Sequence, residues 1–284
     1  MGSTLERYTH GHHESVVAQH RKRTAAEAAG FLLPHLRAGM RLLDVGCGPG
    51  SITLGLAEAV APGEVVAVDL SPDVLEGARR LAAEKGVTNV RFETGDVAHL
   101  AYADGVFDVV YAHQVLQHLA HPVAALVEMK RVLGRGGIVA VRDSDYGTCT
   151  WSPADARIER WLRVYHAVAR ANGAEADAGR FLHGWLLQAG FTELRMSGTT
   201  WTFPGYDSVE AWTTSWADRT TDSNLATGAL EHGIASRAEL AAIAQGFREW
   251  CLDPAAFFSI GHVEALGRTP SSRSAGASGA VAER

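Results

Sequence analysis

Apolar residues fall into two rhythms along this 284-residue chain. From Arg41 onward, short and nearly uninterrupted apolar runs recur: RLLDV (41–45), EVVAVD (64–69), NVRFE (89–93), FDVVYA (107–112) and GIVAVRD (137–143). Runs of this length predict strands buried on both faces. Between them, 51–60, 72–85 and 114–133 mix polar and apolar positions in the manner of helices. Such alternation calls for a parallel sheet with helices on both faces and right-handed crossovers. Ahead of it, Glu14 to Gly30 is rich in Ala and lacks Pro and Gly until its end, and Pro34 interrupts a second short turn, so residues 1–38 predict a helical preface. In the second half, 153–171 and 179–189 read as helices, and FTELRMSGTTWTF (191–203) and AFFSIGHVEAL (256–266) as two more strands. The stretch 207–252 between those strands is helical in composition, divided by the polar TTDSN (220–224). Residues 268–284 are small and polar with little to bury, and a disordered tail is expected there.

The most informative local segment is LLDVGCGPGSITLGLA (42–57): an apolar strand ending near Asp44, three glycines at 46, 48 and 50, then a helix from Ser51. Glycine lets the backbone turn sharply and approach a ligand with no Cβ in the way, and the helix start offers unpaired N–H groups. The spacing is DxGxGxG; a dinucleotide fingerprint would need glycine at 51, where the chain has Ser51, which argues against a hydride-transfer enzyme. Twenty-five residues after Asp44 the second strand ends in Asp69, where a carboxylate can accept hydrogen bonds from two ribose hydroxyls. The third strand leads into Gly95-Asp96-Val97, a carboxylate beside a backbone amide suited to an adenine edge. Three strand ends thus converge on one nucleoside.

Charge and composition narrow the partners. Lys+Arg 26 against Asp+Glu 32 gives a net charge of −6 without a basic stripe, which disfavours nucleic acid and anionic membranes as partners. No apolar stretch approaches the roughly 20 residues of a membrane span. Three cysteines (Cys47, Cys149, Cys251) lack CxxC spacing and the opening residues lack a basic-then-apolar leader, so a cytoplasmic protein is expected. Thirteen histidines and seven tryptophans are the distinctive part of the composition.

Together DVGCGPG, VDLS (68–71), TGDVAHLAYADGVFDVVYAHQVLQHL (94–119) and LGRGGIVAVRD (133–143) resemble a class I S-adenosylmethionine-dependent methyltransferase, with AGF (189–191) introducing a further strand as in that family. Within it the chain is similar to the ubiquinone/menaquinone-biosynthesis type of small-molecule methyltransferase, especially actinobacterial natural-product enzymes that open with a stretch like YTHGHH (8–13). The resemblance implies a Rossmann-like, seven-stranded, mostly parallel sheet in the order 3-2-1-4-5-7-6 with strand 7 antiparallel. It implies one domain over 1–267, with 207–252 a helical lid inserted between the last two strands. It also implies that Asp44 and Gly46, Cys47, Gly48 and Gly50 surround the methionine part of S-adenosylmethionine, with Asp69 on the ribose. Leu70 would flank the adenine, Asp96 and Val97 would meet its edge, and His113 would pass beside the sulfonium. No Asn-Pro-Pro-Tyr-like sequence follows strand four, which disfavours the amine-methylating adenine and glutamine enzymes, and no metal triad is evident.

Methyl transfer from a sulfonium is a direct displacement, so positioning can supply most of the acceleration, about 7–11 kcal/mol in well-oriented systems. A base is needed only where the nucleophile must lose a proton. Candidates are His113 and His118 in AHQVLQHLAHP, Asp143 and Asp145 at the end of the fifth strand, and Tyr8 and His10 as an N-terminal latch over the cofactor. His121, before Pro122, reads as a turn residue, and the Tyr8, His10, His12, His13 cluster lacks a second ligand group for a metal. Arg23 can pair bidentately with the cofactor's carboxylate. Trp151, Tyr165, His166, Trp201, Phe203, Tyr206, Trp212 and Trp216 suggest an aromatic wall for a flat acceptor, with about half expected to serve only the lid's own core. Cys47 fits the turn as a small residue and is assigned no chemistry. The expectation is a methyltransferase acting on a small aromatic acceptor at ring carbon, an indole in the narrow version. The alternatives are a quinone or phenolic acceptor and a non-catalytic cofactor-binding protein; subunit association is left open.

Overall fold

A computed structural model describes residues 20–21 and 23–270. Seven strands, β1 (Leu42–Val45), β2 (Val65–Asp69), β3 (Val90–Thr94), β4 (Phe107–His113), β5 (Leu133–Ser152), β6 (Thr192–Pro204) and β7 (Phe257–Arg268), form one sheet in the order β3-β2-β1-β4-β5-β7-β6. The pairs among β1 to β5 are parallel, and β7 runs antiparallel to both β5 and β6. This is the sheet expected from the sequence.

Strand alternation sorts the core into two layers. Leu42, Val65, Val109 and Ala140 face a cluster closed by α1 (Ala25–Ala28) and α2 (Ser51–Val60). Leu43, Val66, Val110 and Val139 face the opposite cluster, which meets α4 (Pro122–Val132) and α6 (Leu182–Gln188). Between β2 and β3 runs α3 (Pro72–Lys85), started by Pro72 and by Ser71, whose hydroxyl accepts the Val74 N–H. Helix α1 is fastened by a capping box between Thr24 and Glu27, and the Tyr111 hydroxyl donates to the Ala28 carbonyl at 2.9 Å.

A third core lies beyond the sheet's carboxyl edge. Helices α5 (Ala156–Ala171), α7 (Tyr206–Asp222), α8 (Asn224–Glu231) and α9 (Arg237–Trp250) gather around Trp161, which meets Trp216 at 4.6 Å and Phe247 at 5.3 Å edge to face. In chain order α7, α8 and α9 lie between β6 and β7.

Several boundaries differ from those read in the sequence. The single helix expected over 114–133 is a turn at Gln114, a short 3-10 turn Leu116–His118 and then α4, because Pro122 can open a helix but cannot continue one. Strand β5 runs on to Ser152, nine residues beyond Asp143, because the antiparallel partner β7 keeps pairing with it past an irregularity between Asp145 and Thr150. The first residues of the tail expected over 268–284 are ordered: Arg268 still pairs with Ile138, and Thr269 is buried, its hydroxyl donating to Gly134 O and accepting the Gly137 N–H; residues 271–284 lie outside the described residues. Of the helix expected from Glu14, only its end lies within the described residues.

Candidate active site

The parallel strands end on one side of the sheet, and two adjoining cavities open there. The first, about 170 Å³, lies on the glycine turn after β1. Gly46 has a φ of 68°, and a Cβ on it would stand 2.5 Å from Val115. Gly48, which lines the cavity, has a φ of 54°, and a Cβ on it would meet nothing within 4 Å. Asp69 sets this turn: its Oδ2 accepts the Gly48 N–H at 2.9 Å and its Oδ1 the Ser71 N–H at 3.0 Å, leaving each oxygen a further lone pair.

Of the residues named from sequence, Asp44, Gly46, Cys47, Gly48, Asp69 and Leu70 line this cavity, and so do Asp96, Val97, His113, His118 and Arg23. Gly50 does not: it forms the start of α2, and a Cβ there would point at Ala78 and Phe92, away from the cavity. Asp44 is buried, accepts a 2.6 Å hydrogen bond from the Thr53 hydroxyl, and is pushed up to about 7 by loss of hydration. Burial likewise keeps the Cys47 thiol protonated. Leu70, 57% exposed, is an apolar side chain left uncovered by the described residues at the cavity's edge. This combination suits S-adenosylmethionine: an open glycine turn, a carboxylate poised for hydroxyls, and an apolar face beside it.

The second cavity, about 380 Å³, is walled by Trp201, Phe203, Trp212 and Trp216, with Ser144, His262 and Arg219 as polar members. Such a volume matches a small organic molecule. It shares three residues with the first: His20, Arg23 and Gln114. The Trp201 ring carries two guanidinium groups, Arg23 at 5.0 Å and Arg142 at 4.8 Å from its centroid. Arg142 is fully buried; its Nε donates to Glu264 at 3.2 Å and its Nη2 to Thr199 at 2.9 Å.

Asp145 is removed from the site. Along β5 side chains alternate faces, and Ser144 and Tyr146 line the acceptor-sized cavity while Asp143 and Asp145 point to the other side. There the Arg180 guanidinium grips both oxygens of Asp145, at 2.6 and 2.8 Å. Asp143 accepts the Gln117 N–H and lines neither cavity; burial pushes it up to about 8.

Burial favours the neutral form of His113, His118 and His262 at these cavities. His113 is buried, neither ring nitrogen has a hydrogen-bond partner among the described residues, and burial together with Arg23 and Arg142 holds it well below the usual imidazole range. Burial lowers His118 to about 3 and His262 to about 2. His121 is the residue preceding α4. Tyr8, His10, His12 and His13 lie outside the described residues.

Among the expected aromatics, Tyr165 belongs to the core around Trp161 and Trp151 packs against it, while His166 bonds to Asp177 at 2.8 Å. The Tyr206 side chain lies outside the described set. Sequence reasoning missed His262, Ser144 and Arg219. Two of these carried a signal: His262 is a polar position inside an apolar strand, and Ser144 is the even-numbered neighbour of the two aspartates that were chosen.

An α/β sheet of this order, with a ligand cavity on the turn after β1 and a carboxylate after β2, defines a nucleoside-binding transferase fold. Residues 36–193, more than half of the chain, match the family described as Methyltransferase domain. An uncharacterized methyltransferase of Schizosaccharomyces pombe is 34% identical over 221 residues, 75% of this chain and 77% of that protein. Demethylmenaquinone methyltransferase of Staphylococcus aureus is 37% identical over 114 residues, 40% of this chain and 46% of that enzyme, so less than half of either is matched. Among solved structures, the cyclase SpnF is similar with a TM-score of 0.55 and 25% identity, over 89% of this chain and 85% of that one. The chain belongs to the methyltransferase-domain family. It is an S-adenosylmethionine-dependent methyltransferase.

Proposed function

We propose that the protein methylates a small aromatic acceptor seated in the Trp-walled cavity, at a ring carbon, with an indole-type ring as the narrowest form of the reading. The observation that carries it is the junction: a cavity suited to the methyl donor meets one walled by four large aromatic rings at Arg23 and Gln114. Aromatic faces suit both a flat, electron-rich acceptor and the approach of a sulfonium.

S-adenosylmethionine supplies an electrophilic methyl group. In this reading Asp69 receives the ribose hydroxyls, Leu70 with Asp96 and Val97 holds the adenine, and Asp44, Gly46, Cys47 and Gly48 enclose the methionine part, with Arg23 available to its carboxylate. His113, neutral and buried at the end of β4, contributes shape and a hydrogen-bonding edge rather than proton abstraction. An imidazole kept far below neutrality is a poor base, so holding the acceptor in line and dry is the main work of the site. Helices α7, α8 and α9 act as the lid in this reading, and Tyr8 and His10, outside the described residues, keep the proposed role of a latch over the cofactor. The finer kinship is with the ubiquinone/menaquinone type of small-molecule methyltransferases.

Incubation with isotopically labelled S-adenosylmethionine and a panel of indoles, phenols, quinols and aliphatic amines and alcohols, followed by mass spectrometry, tests the reading. A product labelled on ring carbon is expected. Label confined to oxygen would replace it with the phenolic alternative, and label on aliphatic acceptors alone would sink it.

A further inference from the structure

Gln114 adopts a conformation that side chains with a Cβ rarely take: its φ is 54°, one of two such non-glycine residues among those described. Its backbone N–H donates to Arg142 O at 2.7 Å, which fixes the turn. The side chain is fixed as well. Its Nε2 donates to the Ser144 hydroxyl oxygen at 2.8 Å and lies 3.0 Å from His262 Nε2. His262 in turn lies against Trp201, the ring centroids 4.1 Å apart. Burial and the nearby Arg142 keep His262 neutral, so its Nε2 can accept. With Nε2 set on these two partners, no hydrogen bond among the described residues reaches the carbonyl oxygen Oε1. That oxygen belongs to a residue lining both cavities. Backbone strain at such a point marks a position held for use.

We propose that the Gln114 carboxamide is a specificity-determining group that selects acceptors carrying a hydrogen-bond donor, an N–H or O–H on the aromatic ring. This rests on the reading of the Trp-walled cavity as the acceptor site. An acceptor N–H or O–H donating to Oε1 anchors the ring beside the methyl group. A ring with that hydrogen replaced by methyl leaves a desolvated carbonyl unpaired, which is where the discrimination arises.

The test uses the full chain saturated with S-adenosylhomocysteine and isothermal titration with two matched pairs, indole against 1-methylindole and phenol against anisole. The wild type is expected to bind the donor-bearing member of each pair at least about tenfold more tightly. Gln114→Met should abolish that preference by weakening the donor-bearing member alone, with an unchanged far-ultraviolet circular dichroism spectrum and a cooperative thermal unfolding transition as the check on folding, and with S-adenosylhomocysteine kept saturating for each variant. Should Gln114→Met not fold, Gln114→Asn serves, since Asn takes left-handed backbone readily and withdraws the carboxamide by one carbon; the same loss of preference is expected. A preference that persists in either folded variant overturns the proposal. Equal binding of both members by the wild type overturns it while leaving the aromatic acceptor site standing. Binding of none of the four rings, with S-adenosylhomocysteine bound, overturns both.

Discussion

At single residues, two buried or half-buried carboxylates do different work in the cofactor cavity. Asp44 ionises near 3.8 in an exposed chain and is raised to about 7 where it sits. Its contribution to stability is complete below the lower value and is lost as pH rises through the higher one. A cationic group placed against the carboxylate reverses the preference, favouring the ionised form. If the methionine ammonium lies there, S-adenosylhomocysteine should bind more tightly as pH rises through about 7, and Asp44→Asn should bind weakly with that dependence gone; calorimetric titration at several pH values reads both. Asp69 holds one backbone N–H of the glycine turn, that of Gly48, and the Ser71 N–H just after β2. Asp69→Ala should therefore weaken cofactor binding by at least about tenfold, since charge-assisted hydrogen bonds are worth roughly 1.5–3 kcal/mol each. An unchanged Kd would remove it from the ribose.

Among elements, α7 does two jobs with one face. Trp212 and Trp216 line the second cavity, yet they also pack on Trp161 and, for Trp212, on Phe258 at a centroid distance of 3.7 Å. Trp161 itself lines neither cavity and is fully buried. Trp161→Ala is expected to cost about 3–5 kcal/mol of stability by chemical denaturation, whereas Trp216→Ala should also raise the acceptor KM. The strands and most helices were legible because buried parallel strands are apolar throughout and the glycine turn has few other uses. Which polar residues line the Trp-walled cavity was not legible in the same way. Asp143 and Asp145 looked functional at the end of a strand, but the side-chain period of two turns them away and presents Ser144 instead. The break at Gln114 was hidden because QVLQHL has ordinary helical composition; only Pro122 hinted that the helix starts later.

For the molecule as a whole, buried ionisable groups of opposite habit shape the pH range. His113, His118 and His262 are held neutral, so their contribution is full above about 6.5 and falls away in acid as the unfolded chain takes up protons first. Asp143, raised to about 8, acts in the other direction: its contribution is present below 3.8 and lost as pH rises through 8. Asp143→Asn should therefore gain stability over the wild type increasingly from pH 4 to 8, read as the midpoint of urea unfolding at each pH. The ion pair of Arg142 with Glu264 ties β5 to β7 inside the sheet. Arg142→Met, which strands Glu264, is expected to lose roughly 3–5 kcal/mol.

The antiparallel seam between β5 and β7 sets more than strength. Arg142 faces Glu264 and Ser144 faces His262 across it. Sliding β7 by one residue would turn His262 and Glu264 to the opposite side of the sheet and bring Val263 and Gly261 to theirs. Acceptor choice in such a scaffold can drift by substitution at fixed positions. Insertion or deletion of a single residue in β7 exchanges one set of wall residues for the other unless a bulge absorbs it, as the irregularities in β5 and β6 beside this strand already do.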